Sequence, residues 1–241
     1  MLRTIIGFAF AAIYLIGTLP VLLIEKIREK KDPKASSLRC LRMVQWSFRV
    51  ILKICGVKEK VIGYENIPKD QAVLYVANHR SWFDILVAYS KMPNLTGFIA
   101  KESIQNVPIL KTWMKKLSCL FMSKDMKAAL KCIMESVNLI KDGISVFIFP
   151  EGTRNSTYDP LLLEFKEGSL KAAQRTGCAI IPVAIEGTRE VFEEALPKVC
   201  PGNVTIRFGE PIYASQLEGD DKKHLAAYAR GKILAMLEEN K

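Results

Sequence analysis

From residue 57 onward the chain alternates short apolar runs with segments of helical period, and few architectures accommodate that alternation. Strand-like runs fall at 72–77, 95–100, 119–123, 144–149, 179–186 and 204–208. Helical patterns lie among them at about 82–90, 106–117, 125–141, 165–176 and 222–239. Runs that are apolar on both faces are strands buried between helical layers. The predicted fold is therefore α/β, a mixed sheet covered by helices, formed by one domain over residues 57–241. In open sheets of this kind, sites gather at strand ends where loops converge. Two such ends carry dense polar loops, at 78–84 and 150–155.

Residues 1–56 read differently. The run 5–24 contains no charged residue. A helix of twenty residues rises about 30 Å, the thickness of a bilayer's hydrocarbon core. The length of the run, and the absence of a small-x-small site before the charges, disfavour a cleaved signal peptide. Gly17 and Pro20 leave room for a kinked or half-inserted geometry. Lys26, Arg28, Lys30, Lys31 and Lys34 follow at once, which predicts that the remainder faces the cytoplasm. Residues 36–55 then show an apolar helical stripe (Leu38, Leu41, Val44, Phe48, Ile51, Leu52, Cys55) beside a basic one (Arg39, Arg42, Arg49, Lys53). Such a helix lies in the headgroup layer or packs on the domain, and the two are compatible. Ser36 or Ser37 is placed to cap it and Gly56 to end it. The expectation is a two-helix membrane anchor over 1–56.

Charge distribution agrees. Of a net +10, the segment 25–60 holds +7, with eleven Lys/Arg against four Asp/Glu. Localised basic charge suits an anionic membrane surface. The rest of the chain is near balance and has no nucleic-acid motif, so no nucleic-acid partner is expected. Six cysteines without a C-x-x-C pair, and only two histidines, exclude a Cys/His zinc site of ordinary spacing. The cysteines read as reduced thiols packed as small hydrophobes.

In the first loop, Asn78-His79-Arg80-Ser81-Trp82-Phe83-Asp84, His79 stands where a buried strand emerges. Imidazole is the natural general base near neutral pH, and a carboxylate on its other nitrogen fixes the tautomer. Asp84 fills that place if the chain turns between them. Ser81-x-x-Asp84 also matches a capping box, so on spacing alone Asp84 is equally a helix cap. In the second loop, Pro150-Glu151-Gly152-Thr153-Arg154-Asn155, Gly152 permits a tight turn and Arg154 offers a planar fork suited to phosphate. Taken alone, this loop also reads as a polar turn with a surface arginine. His224, among charged residues, reads as a solvated helix start.

Together, N-H-x-x-x-x-D and, about 65 residues later, F-P-E-G-T-R resemble the glycerolipid acyltransferases, specifically those acting on 1-acylglycerol 3-phosphate. The apolar run with proline, Ile180-Ile181-Pro182-Val183, matches a further motif of that family. The remaining motif fits at Lys101, Pro108 and 119–123, but closes on Lys124 where the family has arginine. Lysine keeps the charge and loses the fork. The resemblance implies transfer of a fatty acyl group from an acyl carrier protein or coenzyme A thioester to the sn-2 hydroxyl of lysophosphatidate. It makes His79 the base and Asp84 its orienting partner. Arg154, Lys101 and Lys124 become the phosphate ligands, and Glu151, Gly152 and Thr153 shape their pocket, with Glu151 orienting Arg154 or the glycerol. No metal or organic cofactor is called for. Both lipids reside in a bilayer, which suits an anchored enzyme on the cytoplasmic face of a membrane. Other acceptors (glycerol 3-phosphate or another lysophospholipid) and a non-catalytic membrane binder are the rival readings.

Overall fold

The computed structural model describes residues 1–123, 125–157 and 161–239. A seven-stranded sheet, in order β1-β7-β6-β2-β5-β3-β4, forms the middle layer. Its strands are β1 (Val57–Ile62), β2 (Leu74–Ala77), β3 (Thr96–Lys101), β4 (Leu120–Met122), β5 (Ser145–Ile148), β6 (Ile180–Glu186) and β7 (Gly202–Phe208). β6, β2, β5, β3 and β4 run parallel, whereas β7 is antiparallel to β6 and parallel to β1, so the sheet is mixed. Every expected strand is present. β1 is additional: its sequence, VKEKVI, alternates toward solvent on an edge and lacks the apolar run by which the others are recognised.

The helices are α1 (Leu2–Gly17), α2 (Leu19–Arg28), α3 (Pro33–Cys55), α4 (Phe83–Lys91), α5 (Pro108–Lys116), α6 (Met126–Lys141), α7 (Lys171–Thr176), α8 (Thr188–Val191), α9 (Gly219–Lys223) and α10 (Leu225–Glu238). Alternate residues of the central strands face opposite layers, as the period of two requires. Tyr75, Ala77, Phe147 and Ile181 join a core containing Leu41, Val44 and Leu52 of α3 and Val87 and Ala88 of α4. Leu74, Val76, Val146 and Ile180 join another containing Val137 of α6, Ala173 of α7 and Ala229 and Ile233 of α10. Of the two readings of 36–55, packing on the domain is the one observed. Leu41, Val44, Leu52 and Cys55 of its apolar stripe are buried, Leu38, Phe48 and Ile51 pack partly buried against the same core, and Trp46 is 51% exposed on the opposite side. The cap is Asp32, whose side chain accepts from the Ala35 N–H at 2.9 Å, rather than Ser36 or Ser37, because Pro33 sets the first turn earlier. Gly56 ends the helix at φ +78°.

The apolar run 5–24 is not one continuous helix. α1 and α2 meet at a bend of 43° around Thr18, and among the described residues no single helix is long and apolar enough to cross a membrane. Pro20 has no N–H for the carbonyl one turn earlier, and the Thr18 hydroxyl bonds Tyr14 O at 2.6 Å. α1 packs on α3: Arg3 donates to Ile54 O at 2.9 Å and Tyr14 to Met43 O at 2.9 Å. On α2, the Glu25 carboxylate is 2% exposed. It accepts from Arg39 of α3 and from Arg28 at 2.9 Å each, and from the Ser36 hydroxyl at 2.8 Å. Arg39 foremost, then Ser36 and Arg28, hold its carboxyl down at about 2 against the opposing effect of burial. The outer faces of α1 and α2 leave Phe8, Ile13, Ile16, Leu23 and Ile27 each more than 60% exposed.

Candidate active site

Because β2, β5, β3 and β6 run parallel, the chain segments that follow them emerge at one edge of the sheet. The first loop leaves β2 under tight control. Asn78, fully buried, uses its side-chain amide as a surrogate strand residue: Nδ2 donates to Ile185 O and Oδ1 accepts from Ile185 N, both at 2.8 Å. This continues the β2–β6 pairing beyond the strand and fixes the backbone entering His79.

His79 Nδ1 lies 2.9 Å from Asp84 Oδ2. That oxygen also accepts from the backbone N–H groups of Arg80 at 2.7 Å and Ser81 at 2.8 Å. Its partner Oδ1 accepts from the Thr188 hydroxyl. Asp84 is wholly buried, and these four donors satisfy a carboxylate that burial alone would penalise. Ser81 caps the start of α4 by accepting from the Phe83 N–H at 3.0 Å. The Asp84-to-Ser81 bond is the reciprocal half of a capping box. The capping reading and the dyad reading thus describe one arrangement. With Nδ1 on Asp84, Nε2 is the ring nitrogen left for a substrate proton; among the described residues it has no protein partner. The imidazole is 14% exposed and lies flat on Phe149, with ring centroids 4.1 Å apart and planes 20° apart.

Glu151 sits beneath this pair, 5% exposed. Its Oε1 accepts from the His79 N–H at 2.7 Å and its Oε2 from the Leu163 N–H at 3.0 Å. Burial raises its carboxyl above the ordinary range, against the two amide bonds, which favour the charged form. Both oxygens are committed to backbone, so Glu151 joins the two loops; of the two roles expected of it, orienting Arg154 or the glycerol, the first falls to Glu193. The Asn155 N–H adds a second tie, to His79 O at 2.7 Å. Gly152 takes φ +70°, and a Cβ there would stand 2.8 Å from Lys166 Nζ. Thr153 and Arg154 line a cavity of about 320 Å³ with Arg80, Ser156, Arg189 and Glu193. Arg154 is oriented by Glu193, at 3.1 Å, and by the face of Trp82, 4.6 Å from its guanidinium carbon.

Lys101 ends β3 at the same edge, separated from β2 by β5, and its side chain is exposed. Lys124 lies outside the described residues. Thr188, Arg189, Glu193 and Arg80 are contributors that the motif reading missed. One signal for Arg189 was available: the tetrapeptide E-G-T-R occurs twice, at 151–154 and at 186–189.

The Acyltransferase family profile matches residues 58–186, more than half of the chain. The chain belongs to that family. Its relatives include a chloroplastic 1-acyl-sn-glycerol-3-phosphate acyltransferase of Arabidopsis thaliana, 32% identical over 67% of this chain and 45% of that protein. Another, the 1-acyl-sn-glycerol-3-phosphate acyltransferase of Borreliella burgdorferi, is 28% identical over 81% of this chain and 78% of that protein. The crystal structure of the 1-acyl-sn-glycerophosphate acyltransferase PlsC from Thermotoga maritima superimposes with a TM-score of 0.82 at 25% identity. That likeness covers all of this chain and 96% of the other. The chain thus spans just under half of the Arabidopsis relative's length but nearly all of the Thermotoga fold. Within the family match fall both loops and Ile180-Ile181-Pro182-Val183, whereas Thr188, Arg189 and Glu193 lie just beyond it.

Proposed function

We propose that the chain moves a fatty acyl group from a thioester to the sn-2 hydroxyl of 1-acylglycerol 3-phosphate, giving phosphatidate. The observation that carries this reading is the His79–Asp84 pair, its carboxylate held by three further donors, at the strand edge of a fold similar to that of a 1-acyl-sn-glycerophosphate acyltransferase. Nε2 of His79 takes the proton of the acceptor hydroxyl as that oxygen attacks the thioester carbonyl. The tetrahedral intermediate collapses with loss of the thiolate, which receives the proton from His79. General-base assistance of this kind contributes about 10²–10⁴-fold. Asp84 holds the tautomer and offsets the charge that develops on the imidazole. Arg154 takes the phosphate, together with Lys101 further along the edge and with Lys124, which lies outside the described residues, in a pocket shaped by Gly152 and Thr153 above Glu151.

The donor is an acyl carrier protein or coenzyme A thioester. Because the thioester is already activated, the reaction calls for no metal or organic cofactor. The exposed apolar faces of α1 and α2 anchor the protein at the cytoplasmic face of a membrane. α1, at sixteen residues, reaches only about 24 Å, short of a hydrocarbon core by itself, so insertion takes α1 and α2 together as a bent pair.

Phosphatidate formation from lysophosphatidate and matched acyl carrier protein and coenzyme A thioesters tests the reading. His79→Ala is expected to lower the rate at least 10²-fold. Unchanged transfer by a folded His79→Ala protein overturns the mechanism. Preference for another lysolipid or for glycerol 3-phosphate overturns the acceptor.

A further inference from the structure

A second group of cations gathers at the far end of the edge that carries the dyad. β6 ends at that edge, and β7 is antiparallel to it, with Glu186 opposite Thr205, so β7 begins there. β1 is parallel to β7, with Val57 opposite Gly202, and begins there too. Beside these two strand starts lies a cavity of about 600 Å³ lined by Arg3, Arg49, Lys53, Gly56, Lys58 and Glu59. It is built from the first turn of α1, the last turns of α3 and the start of β1.

The cations there lack a carboxylate of their own. Glu59 is ion-paired with Lys91, at 3.0 Å. Arg3 donates to Ile54 O at 2.9 Å and Arg49 reaches Ser90 O at 3.5 Å, both backbone carbonyls. Lys53 and Lys58 form no ion pair among the described residues. The dipole of α3 accounts for a cation in its last turn, where Lys53 stands. It does not account for Lys58, on a strand, or for Arg3, at the positive end of α1. Gly56, at φ +78°, keeps the wall open: a Cβ there would stand 2.8 Å from Arg3 Nη1 and 3.0 Å from Pro201 Cβ. A recess lined by one sign of charge focuses its field on an incoming anion, and guanidinium and ammonium groups are the side chains that take phosphate.

This anion is not the acceptor held at His79. β2, β6, β7 and β1 are neighbours in that order, so the cavity lies about three strand spacings, roughly 14 Å, from the strand that carries the dyad. The phosphorus of lysophosphatidate is four covalent bonds from the sn-2 oxygen, no more than about 5 Å. Ile5 and Phe8, both 61% exposed, follow Arg3 on α1, so the cavity adjoins the apolar face of the anchor, at the level of lipid headgroups. We propose that the cavity holds the phosphate headgroup of a second anionic lipid, neither acceptor nor product. Such a site depends on the anchoring of α1 at a membrane, as proposed above, and is independent of acyl transfer.

The full chain is floated at fixed ionic strength with vesicles of phosphatidylcholine alone and of phosphatidylcholine mixed with phosphatidylglycerol, a lipid that the proposed reaction neither consumes nor forms. Lys53→Gln combined with Lys58→Gln is expected to reduce the preference for the anionic vesicles about tenfold more than Lys30→Gln combined with Lys31→Gln, which removes the same charge from the exposed turn after α2. If the first pair does not fold, Lys58→Gln against Lys30→Gln carries the test. Equal falls in the two variants mean diffuse attraction to the surface and overturn the site. Flotation with both vesicles alike overturns it while leaving the anchor intact, whereas failure to float with either overturns the anchor and the site together. Unchanged flotation with a raised KM for the coenzyme A thioester gives the cavity to a soluble phosphate and overturns the lipid assignment.

Discussion

Replacing Asp84 with asparagine keeps the shape of the dyad and removes its charge. Asp84 Oδ2 faces three N–H donors, His79 Nδ1, Arg80 N and Ser81 N, whereas among the described residues Oδ1 faces only the Thr188 hydroxyl, which can rotate to accept. The asparagine therefore places its oxygen toward the three donors and its amide toward Thr188. The His79 tautomer survives, and what is lost is the stabilisation of an imidazolium. A full charge about 4 Å from the ring contributes on the order of 4 kcal/mol at an effective dielectric of about 20. The residual neutral hydrogen bond returns about 1 kcal/mol. The net loss of about 3 kcal/mol corresponds to a fall of roughly 150-fold in kcat. The assay follows phosphatidate by chromatography rather than by a thiol dye, because Cys200 is exposed and would react. Retention of activity within about threefold in a folded protein refutes the electrostatic role. A loss of about 10⁴-fold, the signature of a wrong tautomer, refutes the orientation argument instead.

Glu151→Gln sets an amide N–H₂ against one of two backbone donors, so a loss of about 1–3 kcal/mol in stability is expected by thermal unfolding. Burial raises the folded-state carboxyl of Glu151, so its cost is incurred as pH rises through that raised value; acidification toward 4.5 should move the native protein's Tm upward relative to the Gln variant. Glu25→Gln severs α2 from Arg39, and a loss of about 2 kcal/mol lowers Tm by roughly 4–8 °C at pH 7. Because the folded Glu25 carboxyl is depressed to about 2, this contribution is complete above about 4.5, and the difference between native protein and variant should vanish as pH falls toward 2. Phe8→Glu, Ile13→Glu and Ile16→Glu together alter side chains that are 61%, 70% and 62% exposed. Thermal stability should hold while flotation with anionic vesicles is lost; unchanged flotation refutes the anchoring surface.

What sequence alone disclosed follows from which interactions are local. The central strands β2, β5 and β6 were legible because each is buried on both faces, whereas β1 was not, since an edge strand needs no such run. The capping pattern at Ser81 and Asp84 spans a single turn, so both of its readings were available. The role of Glu151 was not legible: its partners are backbone N–H groups of His79 and Leu163, 72 positions before it and 12 after. Arg154 was chosen for its fork, but its orientation depends on Glu193, 39 residues away on the segment after β6. Pro20 marked the break near Thr18, although its extent is a tertiary property.

Arg3 donates to Ile54 O and Tyr14 to Met43 O, and the Thr4 hydroxyl accepts from the Val199 N–H at 3.0 Å, so α1 is fastened to the body of the molecule near both of its ends. A helix held this way is a ruler, not a leash. Whatever surface receives its apolar side, the distance and angle from that surface to His79 are set by the fold and vary little from one molecule to the next. At a membrane, hydroxyl groups presented at one depth would be within reach and those deeper or shallower would not. Selection by depth would then require no contact with the acyl chain.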